Sequence, residues 1–167
     1  MKRRLLLSAA GSIVTFLKLF VSNKLHLNKE KLGKTYQLSV HGKYSVFRET
    51  VNDPTFPGQM IVLVVGFRLR LIGSNTFFHW IFQRVCILTT PFWSGFRGFH
   101  IKLWMVDKTT KNYAGIYEWY GKENAQRYLD VLLPVLRFFS VSSSVWYYSY
   151  EDRSLEVSLA SLESSQR

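Results

Sequence analysis

From Thr35 to Tyr150 the chain switches repeatedly between a two-residue hydrophobic period and one of three to four residues. These are the periods of half-buried strands and amphipathic helices. TYQLSV (35–40) and KYSVFRETV (43–51) alternate, and the His41-Gly42 connector between them predicts a tight hairpin with positive φ at Gly42. NDPTFPGQ, with Pro54, Pro57 and Gly58, reads as a loop and module boundary. Met60 to Leu71 is an almost unbroken apolar run that gains Arg68 and Arg70 at its end. That suits an interior strand covered on both faces, its charged end emerging at the rim. Ser74 or Asn75 can then cap a helix in which Phe78, Ile81, Phe82, Val85 and Cys86 form one buried face, up to a stop or kink at Thr89-Thr90-Pro91.

FWSGFRG (92–98) is an aromatic, glycine-punctuated connection to two further strands, GFHIKLWMV and YAGIYEWYG, joined by the polar turn DKTTKN. Strict alternation places His100, Lys102, Trp104 and Val106 on one face, with Phe99, Ile101, Leu103 and Met105 on the other. Tyr113, Gly115, Tyr117 and Trp119 likewise oppose Ala114, Ile116 and Glu118. From Lys122 to Phe139, Ala125, Tyr128, Leu129, Leu132, Leu136 and Phe139 recur at helical spacing as a buried face, and Pro134 should bend the last turns. A strand over Val145 to Tyr150 precedes the Ser- and Glu-rich tail EVSLASLESSQR, a short helix or a frayed end.

The element order is β-α-β-β-α-β, the split βαβ of ferredoxin-like α+β folds. The expected organisation is a basic apolar helix and linker (1–34), a hairpin and loop (35–59), the ferredoxin-like domain (60–150) and a tail (151–167). At 167 residues and 47% hydrophobic, the chain has room for one domain with a real core.

The net charge of +11 changes meaning once located: residues 1–34 hold eight Lys/Arg against Glu30 alone, leaving only +4 for the rest. MKRR followed by LLLSAAGSIVTFLKLFV (5–21) points to membrane attachment through residues 1–21, lying in the interface or as a short span. A helix docked on its own domain, which would leave the protein cytoplasmic, and a cleaved signal are the competing readings. Ser22 to Lys34 reads as a polar linker or short helical extension. An aromatic sheet of this order invites comparison with RNA-binding modules, but the required Lys/Arg-Gly-Phe-rich strand motif is absent and the excess charge lies outside the sheet, so no nucleic-acid partner is expected.

Cys86 is the single cysteine and sits in an apolar helical run, which suits a buried, inert thiol. His26, His41, His79 and His100 never occur at metal-ligand spacing with acids or one another, and no metal is expected. There is no nucleophile elbow and no Gly-rich phosphate loop.

The segments GFHIKLWMV, YAGIYEWYG and NAQRYLDVLLPVLRFFSV together resemble the dimeric α+β-barrel proteins of the YdhR-type monooxygenase family and, more loosely, the antibiotic-biosynthesis monooxygenases. The likeness lies in Ile101-Lys102-Leu103-Trp104, Gly115-Ile116-Tyr117 and a following helix with Ala125, Tyr128 and Leu129, within residues 60–150. It implies a homodimer paired through the sheet face and an apolar cavity between each sheet and its helices. It further implies a small apolar or aromatic ligand and, in some relatives, oxygenation with no cofactor, or haem binding.

For such chemistry His100, Lys102 and Tyr117 are the candidate catalytic residues, a His or Lys serving as base. Trp104 and Trp119 would orient the substrate, Arg68 or Arg84 would hold the anion that forms, and His79 on the first helix is a further substrate-binding candidate that would face the cavity. The competing expectation is a non-catalytic, membrane-associated structural or ligand-binding module in which these aromatics fill the interior.

Overall fold

The structure, a computed structural model, describes residues 25–26, 28–38, 41–52, 58–70 and 75–164. Its strands are β1 (Leu25–His26), β2 (Thr35–Gln37), β3 (Lys43–Asn52), β4 (Met60–Phe67), β5 (Phe99–Val106), β6 (Tyr113–Tyr120) and β7 (Trp146–Glu151). The helices are α1 (Thr76–Leu88), α2 (Thr90–Ser94), α3 (Lys122–Phe139) and α4 (Leu155–Ser164). All seven strands join one sheet in the order β1-β3-β5-β6-β4-β7, with β2 paired to β3. The stretch β5-β6-β4-β7 is antiparallel throughout, and it is the spatial order that a βαββαβ chain adopts in the ferredoxin-like fold.

The hydrophobic runs settle where they were expected. The apolar run of β4 lies between β6 and β7 with Ile61 to Val65 buried, because both of its faces carry a core. The hairpin forms with Gly42 at φ +107 and adds β2 and β3 to the β5 edge. Asp107 shapes the turn after β5 by accepting from the Thr109 and Thr110 amides at 2.8 and 3.0 Å. Helix α1 closes at Leu88, just before Thr89-Thr90-Pro91 as expected, and Pro91 sits in the first turn of the short α2, where its missing N–H costs nothing.

Two cores flank the sheet. On one face α1, α2 and α3 cover Ile61, Leu63, Val65, Phe99, Trp104, Tyr117 and Trp119. On the other, Tyr36, Leu38, Tyr44, Val46, Val62, Val64, Leu103, Met105 and Ile116 pack with Leu155 and Leu159 of α4. The sheet curls around this second core far enough for the His41 ring beside β2 to stack on Trp146 of β7 at 3.8 Å. The face expected to pair with a second copy therefore already carries a cover within the chain. Leu103, Met105 and Ile116 on it have no exposed area.

Three expectations are corrected. Strict alternation fails in β5 because a bulge between Phe99 and Ile101 sets two residues against Glu118. Phe99 thereby joins Lys102 and Trp104 on the helix face, and His100 moves to the α4 face with Glu118. Phe139, expected in the core, is 59% exposed at the end of α3. Within the presumed linker, Leu25–His26 pairs with β3, and Lys31 is buried against Glu49 and Glu156 at 3.5 and 3.0 Å. Burial alone would lower the Lys31 pKa, but Glu156 and Glu49 hold it above the usual lysine value. The predicted attachment segment, residues 1–21, lies outside the described residues, and no described helix is long and apolar enough to cross a membrane.

Candidate functional site: an apolar cavity around Lys102

Helices α1 and α3 both lie on the helix face of the sheet but touch each other only sparsely. The gap between them is a cavity of about 400 Å³, within the size range of small-molecule sites. Phe78, Ile81, Phe82, Val85 and Cys86 of α1 form one wall, the face that their spacing foretold. Leu132, Val135, Leu136 and Phe139 of α3 form the opposite wall. Its floor is sheet: Phe67, Lys102, Trp104 and Tyr117.

Among the described residues Lys102 is the only charged side chain of that lining, and only 3% of it is exposed. Its Nζ lies 3.1 Å from the Trp104 ring centroid, 4.8 Å from that of Tyr117 and 5.8 Å from that of Trp93. Among the described residues no carboxylate pairs with it and no oxygen accepts its protons. The aromatic faces favour the ammonium form by roughly 2 kcal/mol. Taking an ion out of water costs several kcal/mol, so burial wins. The Lys102 pKa is held well below its usual value by that burial, and the Arg48 guanidinium on the neighbouring strand reinforces the shift. Burial likewise pushes the Cys86 thiol up to about 11 and the Tyr117 phenol higher still, so both stay protonated.

Local sequence sets this geometry. Gly115, opposite Trp104, lacks the Cβ that would come within 2.6 Å of the Tyr117 hydroxyl, so the Tyr117 ring can lie back along its own strand. Two lining residues hold polar atoms without a partner among the described residues: Trp104 Nε1 and Ser140 Oγ. Thr89, also on the lining, donates to the carbonyls of Val85 and Cys86 instead.

Of the eight candidate residues, the structure brings three together at the cavity: Lys102, Trp104 and Tyr117. The other five stand elsewhere. His100 bonds Glu118 on the opposite face, where the other Glu118 oxygen accepts the Leu155 amide that opens α4. His79 is buried but meets the Tyr113 hydroxyl at 2.8 Å, tying α1 to β6. Trp119 is fully buried against Phe99 and Tyr128. Arg68 and Arg84 are exposed, Arg84 lying 5.1 Å above Trp80. Sequence reasoning missed Trp93, Ser140 and the nearby Arg48. Trp93 and Ser140 lie beyond the two periodic strands, and no periodicity links Arg48 to Lys102.

A haem iron would need an axial nitrogen, thiolate, thioether or phenolate. Among the described residues no histidine or methionine lines the cavity, and Cys86 and Tyr117 are held protonated, so the one lining group that could ligate such an iron is the Lys102 amine. What the cavity can do is enclose one apolar molecule and offer it an amine, an indole N–H and a hydroxyl.

No protein-family model matches this chain, and no curated protein is similar to it in sequence. Among solved structures it is similar to a major regulator of staphylococcal pathogenesis, at 9% identity over 83% of this chain and 92% of that one, with a TM-score of 0.47. It is similar to a haem-degrading enzyme from Listeria monocytogenes, at 12% identity over 83% and 93% of the two chains (TM-score 0.45). A ferredoxin-fold protein related to antibiotic biosynthesis monooxygenases, also from Listeria monocytogenes, is similar at 14% identity over 84% and 89% (TM-score 0.44). The strand order of its own sheet, β5-β6-β4-β7 with every neighbour antiparallel, makes this chain a ferredoxin-like α+β protein.

Proposed function

We propose that this chain binds one small, mainly apolar molecule in the α1–α3 cavity, with an oxygen of that molecule set against Lys102 and Trp104. The observation that carries this reading is the lining itself. A lining that is otherwise almost wholly apolar holds the Lys102 amine, which meets no acceptor among the described residues, and the Trp104 indole N–H, which is buried with none. Buried donors are rarely left orphaned, so a carbonyl, phenol or carboxylate oxygen is the natural complement. Titration with 2-naphthol and dodecanoate, followed by tryptophan fluorescence, tests it. Saturable one-to-one binding that weakens about tenfold in Lys102→Met is expected; absence of saturable binding would overturn it.

A catalytic reading has one specific observation behind it, the lowered pKa of Lys102. A neutral amine can take the proton of an acidic phenol, leaving an electron-rich anion confined beside Tyr117, as cofactor-independent oxygenation requires. Oxygen consumption with an electron-rich phenol, lost in Lys102→Met, would support it. Binding without oxygen uptake would leave a binding protein.

A further inference from the structure

The two helices that wall the cavity carry exposed aromatic side chains, of which Phe77, Trp80 and Phe138 are used by neither the cores nor the ligand reading. On α1, Phe77 and Trp80 stack at 6.3 Å and stand 62% and 53% exposed. On α3, Phe138 and Phe139 pack edge to face at 4.9 Å and stand 74% and 59% exposed. Phe78 and Phe139 join the two groups, because both also line the cavity. Soluble proteins seldom expose so many large apolar side chains on two helices that wall one cavity.

Charge identifies the occupant. Arg84 lies over Trp80; Arg70 and Arg137 flank Phe139, whose carbonyl accepts the Arg70 amide at 3.0 Å, while Arg70 Nη2 reaches the Arg137 carbonyl at 3.4 Å. The sequence has no Asp or Glu between Asp53 and Asp107, nor from Val131 to Tyr150. A second copy seated on this patch by a two-fold axis would face arginine with arginine. The chain's own residues 1–21 carry Lys2, Arg3, Arg4 and Lys18 and no acid, so they too are mismatched. Phe and Trp fringed by arginine suit the interfacial zone of a bilayer with anionic headgroups.

We propose that the exposed α1–α3 rim is a docking surface for anionic lipid, which sets the cavity mouth at the membrane interface. The aromatic rings enter the headgroup zone and Arg70, Arg84 and Arg137 meet lipid phosphates. The docking stands on the rim alone and does not depend on what the cavity binds.

Full-length protein is floated with phosphatidylcholine vesicles and with vesicles containing 30% phosphatidylglycerol (about one lipid in three, a strongly anionic surface). Binding that favours the anionic vesicles, and that falls at least tenfold in Phe77→Ser/Trp80→Ser/Phe138→Ser, is the expected result. The three side chains are exposed, so circular dichroism should match the parent. Arg84→Glu/Arg137→Glu, which leaves the aromatics in place, should erase the anionic preference. Unchanged flotation of both variants would overturn the proposal and assign binding to another segment, residues 1–21 included. Failure of the parent to float would overturn it too. So would a parent dimer that becomes monomeric in the triple serine variant without any vesicle binding, since a second copy would then be the occupant.

Discussion

Trp146 of β7 stacks on His41, ring centroids 3.8 Å apart and planes 5° from parallel, and its indole also covers Gly66. His41 follows β2 at one side of the sheet and Trp146 belongs to the strand at the other, so this contact marks where the curled sheet nearly meets itself. It works because Gly66 has no side chain: a Cβ there would come within 2.1 Å of the indole Cζ2.

Gly66→Ala should therefore push Trp146 off its seat and cost about 1–3 kcal/mol, the usual penalty for overpacking. A urea midpoint lowered with an unchanged slope would show it. An unchanged midpoint would mean that the indole moves freely and the closure contributes little.

Lys102 makes stability depend on pH with a definite sign. Its folded pKa lies below its unfolded value near 10.4, so between the two the unfolded chain binds more protons. Stability should rise with pH across that window and be lowest below the folded pKa, where the buried amine must be charged. Lys102→Met keeps the shape, removes the titration, and should flatten this slope while raising stability at neutral pH. The check is urea unfolding from pH 6 to 9. Parallel curves for the two proteins would show that the amine is hydrated or paired.

Glu118 is 3% exposed and bridges His100 to the first amide of α4, Leu155. Glu118→Ala should leave both donors orphaned, cost about 1–3 kcal/mol, and speed hydrogen exchange at the start of α4 before elsewhere. His100→Ala, by contrast, should leave ligand binding in the cavity unchanged, since His100 lies on the other face of the sheet.

That contrast shows how much of the site was legible in the sequence. Period-two alternation put Lys102, Trp104 and Tyr117 on the sheet faces from which the structure brings them together at the cavity, because those strand positions follow a regular pleat. It failed at His100 because one extra residue at a bulge inverts the facing of everything beyond it, and no residue type at Phe99 to Ile101 marks the bulge. The α1 wall was legible as a face at spacings of three and four. Yet that face borders a cavity as well as a packed core, and Phe78 and Val85 stay 47% and 45% exposed. Helical period says which residues turn inward; it does not say whether anything meets them there. The fold was legible further, since a strand order depends on element order and only weakly on single side chains.

Cys86 gives a readout of the cavity that does not require knowing its ligand. Its thiol lines the cavity wall, is 4% exposed, and is pushed up to about 11 by burial. At pH 8 under a few tenths of a per cent is thiolate, roughly a hundredfold less than for a free cysteine. Alkylation of the native chain by iodoacetamide should be correspondingly slow and should jump on unfolding in urea. A small apolar maleimide can enter the cavity and should react faster than a charged one of similar size. A compound that fills the cavity should suppress that reaction in proportion to its occupancy. If charged and apolar reagents react at the same rate, Cys86 meets bulk solvent and the space between α1 and α3 is a cleft rather than an apolar enclosure.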